Sequence, residues 1–64
     1  MQHDYFADIA TRARHLVDRH GAQALDIAIE QASRMEKIGN ATRRTDWLCI
    51  MISAHRLLVS RHGW

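Results

Sequence analysis

Five histidines and a single cysteine are the residues of this 64-residue chain best suited to metal or acid–base chemistry. His15 and His20 lie five positions apart, about 140° round a helical wheel, so one unbroken helix cannot aim both at one ion. His55 and His62 share a face but stand two turns apart, about 10 Å along a helix axis. A zinc site wants four ligands at short spacings, or three plus water, and none of H-x3-H, C-x2-C or H-E-x-x-H occurs. Only a site assembled across chains, from His20, His55 and Cys49, is left open, and no metal or other cofactor is expected. His20 and His55 fall on apolar arcs. That is the pattern of histidines packed in a core or at an interface, with pH-sensitive association as its functional version.

Nucleophilic catalysis needs an activated nucleophile, a base and an orienting group. Cys49, Ser53 and Ser60 are present, but a chain this short has little room to wall off a pocket, and the carboxylates sit mainly on charged faces beside arginines. "HGAQA" has one glycine, well short of a phosphate-binding loop. No catalytic residue is assigned, and the expectation is a non-enzyme.

The remaining chemistry is cationic. Nine basic and seven acidic residues give a net charge of +2, too near balance for the basic pI alone to imply a nucleic-acid partner. The charge is uneven: residues 1–40 carry five basic and six acidic groups, net −1, and residues 41–64 four basic and one acidic, net +3. Arg43, Arg44, Arg56 and Arg61 are therefore the candidate contacts to an anion or nucleic acid. Arg43 and Arg44 also stand where a helix begins, a position at which the helix dipole disfavours cations. Against a helix-turn-helix reading, the helix that would enter the groove carries Ile, Met and Leu rather than polar side chains.

Helices must position all of these groups, because helical periodicity dominates and no stretch alternates with period two for the length of a strand. In the first segment Tyr5, Phe6, Ile9, Ala10, Ala13, Leu16 and Val17 share one face, with Asp8, Arg12, Arg14, His15 and Arg19 on the other. Asp4 is placed to cap it and Gly21 to end it in the left-handed conformation. Apolar spacing runs on through Ala24, Leu25, Ala28, Ile29, Ala32 and Met35, so the reading is two to three helices according to whether Gly21 breaks the chain; a break is favoured. Glu30 and Arg34 are spaced for an i,i+4 pair. Gly39 closes the second helix, Asn40 or Thr42 caps the third, and Gly63 ends it. The expected fold class is all-α, with helices at about 4–20, 22–38 and 41–61 in one domain covering residues 1–64.

The third segment, "DWLCIMISAHRLLV", sets the main expectation about function. Trp47, Ile50, Met51, Ala54, Leu57 and Leu58 cluster on the wheel, and Leu48, Ile52, His55 and Val59 widen the apolar arc to roughly 220°, leaving Cys49, Ser53 and Arg56 as a polar strip. A helix at the edge of a small unit buries a stripe of roughly 100°, and a 64-residue domain has a marginal core unless a disulfide, a metal or a second chain supplements it. One cysteine cannot form an intrachain disulfide. The expectation is a homodimeric helical bundle with the six clustered residues as its core and interface.

The longest apolar run, Trp47 to Ile52, is far below the roughly 20 residues of a membrane span, and Asp4 and Asp8 interrupt any secretory leader. A cytoplasmic protein is expected, without membrane association. Taken together, the His20-Gly21 step, the alanines at 24, 28 and 32, the Gly39-Asn40 turn and Trp47 with Ile50 three residues later resemble a family of short helical proteins of unknown function common in alphaproteobacteria. About two thirds of the chain carries the likeness. It departs at Ala22-Gln23, where acidic residues are usual. The resemblance implies a bacterial cytoplasmic protein and supplies no catalytic residue. The chain therefore reads as a self-associating interaction module, with a small basic regulator of nucleic acid or of an acidic protein partner as the alternative.

Overall fold

The computed structural model describes residues 5–61. They form three helices, α1 (Tyr5–His20), α2 (Gln23–Lys37) and α3 (Ala41–Arg61), with no strand among the described residues. The expected caps and stops at Asp4 and Gly63 lie outside them.

Both breaks fall at glycines in the left-handed region, Gly21 at φ 60° and Gly39 at φ 77°, where a Cβ would be strained. After α1, the Gly21 N–H closes on the Val17 carbonyl at 2.7 Å. After α2, the Gly39 N–H donates to the Glu36 carbonyl at 3.1 Å and the Asn40 N–H to the Met35 carbonyl at 2.8 Å, a Schellman pair that satisfies carbonyls otherwise left open. Asn40 then starts the next helix. Its side-chain Oδ1 accepts from the Arg43 N–H at 3.0 Å, and its carbonyl from the Arg44 N–H at 3.0 Å. Of the two candidate caps, Asn40 is therefore the one used. By contrast α2 opens at Ala22 with no side-chain cap. Asn40→Ala should cost about 1 kcal/mol, read as a lower urea midpoint at unchanged slope, whereas Asn40→Asp keeps an acceptor and should stay close to wild type.

The Tyr5 hydroxyl donates to Asp46 at the start of α3, and Arg61 at its end pairs with Asp18. With partners in the same order on both helices, α1 and α3 run parallel, and α2 returns antiparallel between short turns. Both α1 and α2 pack extensively on α3 but barely on each other, so α3 is the central element. This accounts for much of its wide apolar arc: Ile50 and Ala54 are buried, and Trp47, Met51, Leu57 and Leu58 pack against the same cluster. The predicted pair of Arg34 and Glu30 forms at 3.0 Å. Both partners are largely exposed, so the pair contributes only a few tenths of a kcal/mol.

The core is thin. Of its eight buried residues, Ile9, Ala13, Val17, Ala24, Ala28, Ala32, Ile50 and Ala54, five are alanines. Ala24, Ala28 and Ala32 form the buried stripe of α2, which allows helices to approach closely but buries little apolar volume.

Candidate functional site

The six residues expected at the core and interface, Trp47, Ile50, Met51, Ala54, Leu57 and Leu58, are all engaged within one chain. Ile50 and Ala54 are buried there, while Trp47, Met51, Leu57 and Leu58 are half-buried. The polar strip of α3 is also not where its composition suggests. Cys49 is half-buried against the core, and Ser53 is half-buried in a small groove with Ala10, Arg14, Arg56 and Leu57. That side of α3 lies under α1. The arc left outside is the apolar one: Ile52 is 50% exposed, Leu48 and Val59 are half-buried, and His55 is exposed. These four residues follow each other at steps of four, three and four, the spacing of a coiled-coil seam. Tyr5 and Phe6, assigned to the buried face of α1, are exposed and stack edge to face with centroids 5.6 Å apart. The Tyr5 phenol is raised well above its usual pKa, chiefly by its hydrogen bond to Asp46, so it stays protonated as the donor that ties α1 to α3.

The four candidate arginines do not form one patch. Arg43 and Arg61 are 18 positions apart on one helix, about 27 Å. Arg61 is neutralised by Asp18, and Arg56 lines the small groove beside Arg14. What the fold does gather is a basic set on α1 that segment charge concealed. Arg12, His15, Arg19 and His20 border a groove of about 670 Å³ whose apolar lining is Leu16 with Trp47 and Ile50 of α3. No acidic side chain lines it among the described residues. The signal was present in the sequence, since Arg12, His15 and Arg19 recur at i, i+3 and i+7 on one helical face. The net −1 of residues 1–40 hid it, because Asp18 pairs across to Arg61, Asp26, Glu30 and Glu36 belong to α2, and Asp8 borders a separate groove beside Arg12.

His20 and His55 are both exposed and belong to separate features, the groove and the α3 seam. Among the described residues no group of three or more His, Cys, Asp or Glu is placed to hold a metal ion. No helix among the described residues is long and apolar enough to cross a membrane. Compared with protein families, with curated proteins and with solved structures, the chain matches none.

Proposed function

We propose that this protein is a non-enzymatic interaction module that self-associates through the outer face of α3. The observation that carries the reading is the seam-spaced row Leu48, Ile52, His55 and Val59, in which Ile52 and His55 are exposed and Leu48 and Val59 are only half-buried. A further feature supports it: an alanine-rich core leaves a chain of this size short of stabilising burial. A second copy is the occupant that matches the strip, because pairing two identical α3 faces about a two-fold axis covers it on each. A bacterial, cytoplasmic setting belongs to the same proposal.

Light scattering during size exclusion tests it. The wild-type chain should elute at twice 7.4 kDa at micromolar concentration, and Ile52→Asp at the mass of one chain. Ile52 is 50% exposed within the chain, so aspartate there can remain hydrated in the monomer and disrupts only a dry interface. A wild-type protein that is monomeric at every concentration, or an Ile52→Asp variant that stays dimeric, would overturn the proposal.

A further inference from the structure

The groove between α1 and α3 lies apart from the α3 seam, and it has the composition of a ligand site. We propose that it binds a phosphate ester carrying a flat ring, a nucleotide unit, with the phosphate held by Arg12 and Arg19 and the ring against Trp47. Three observations lead there. First, neither Arg12 nor Arg19 makes an ion pair among the described residues, and Arg12 alone of the two also borders a second groove that holds Asp8 and Asp46. Like charges aligned on one helix face repel, and an anion in the groove relieves that repulsion. Guanidinium groups suit phosphate because they present donors in a planar fork.

Second, the lining is divided in a way that matches a two-part ligand. One wall is cationic and hydrogen-bonding, with His15 and His20 adding imidazole nitrogens, while Leu16, Trp47 and Ile50 supply an apolar surface. Trp47 is only half-buried in a domain short of apolar burial, and an indole flanked by arginines is a stacking platform for a base. Third, the dimensions fit. The groove is open to solvent, with room for a nucleotide in its about 670 Å³, and Arg12 and Arg19 are about 10 Å apart along the axis. A free nucleotide and a single-stranded nucleic acid offer this same chemistry.

The test is titration of Trp47 fluorescence in a Trp64→Phe background, which leaves Trp47 as the only tryptophan. AMP should quench it saturably, with adenosine binding and inorganic phosphate competing at least about tenfold more weakly, since each lacks one half of the contact. Arg12→Ala and Arg19→Ala should each weaken AMP about tenfold, and Arg56→Ala, outside the groove, should leave it unchanged. All three arginines are exposed, so helicity should survive each change. An eight-residue oligothymidylate that binds more tightly than AMP, with an affinity that falls steeply with salt, identifies a single strand as the source; equal or weaker binding identifies a free nucleotide. No saturable response to AMP or the oligonucleotide into the millimolar range overturns the proposal. So does an Arg56→Ala loss equal to that of Arg12→Ala, or a response only to an acidic aromatic peptide.

Discussion

Ile50→Asp is expected to abolish the folded state. Ile50 is 1% exposed at the centre of the cluster that joins α1, α2 and α3. A carboxylate there forfeits the packed side chain and must be desolvated or protonated, even with the basic groove at its edge, at a cost on the order of several kcal/mol. A single core of this size supplies only about 3–5 kcal/mol, so the substitution removes as much as the domain has. Far-ultraviolet circular dichroism should show a largely unfolded chain at 25 °C. Met51→Asp and Leu58→Asp act in the same direction with smaller effect, because both side chains are only half-buried against the core. Ile52→Asp, two residues from Ile50, should keep its helicity and lose only association. If Ile50→Asp melted like the wild type, the assignment of the core would be wrong.

Ala28→Leu has the second largest expected effect. Ala28 is fully buried in the middle of the alanine stripe of α2. Leucine is the better packer in most cores and nearly as good a helix former, so a gain would be expected if the site had room. It has none at the α2–α3 contact, where three alanines in register set how closely the helices approach. The added methylenes force the pair apart or strain their rotamers, at about 1–3 kcal/mol, a large fraction of the total stability. Urea denaturation should give a midpoint lowered by a third or more. A midpoint at or above that of the wild type would mean that the stripe is not closely packed. Glycine at the same position isolates the other half of the argument, since it costs about 1 kcal/mol through helix propensity without crowding.

The fold was legible where its causes are local. Gly21 and Gly39 adopt left-handed backbone that favours glycine, Asn40 caps the next helix through its own side chain, and Glu30–Arg34 is a pair within one helix. Each depends on residues within five positions, so composition and spacing suffice to place it. The site was less legible. The wide apolar arc of α3 suggested a helix covered on one side by its own chain and on the other by a second. Within the chain α1 and α2 both pack on α3, and Ile52 and His55 stay exposed with Leu48 and Val59 half-buried. In the same way Cys49 and Ser53, read as an outward strip, lie under α1.

The amino-acid sequence by itself therefore determined an all-α chain of two to three helices, the turn at Gly39-Asn40 and the small residues that permit close packing, because helix formation and termination are short-range. The structure decided the break at Gly21 and the choice of Asn40 over Thr42 as cap. Only the tertiary structure decided which helix is central, that Arg43, Arg44, Arg56 and Arg61 stay dispersed, and that Arg12, His15, Arg19 and His20 gather beside Trp47. Those outcomes depend on which side of α3 each neighbour occupies. That choice rests on the burial and volume of all three helices together, which no helical wheel of a single segment contains.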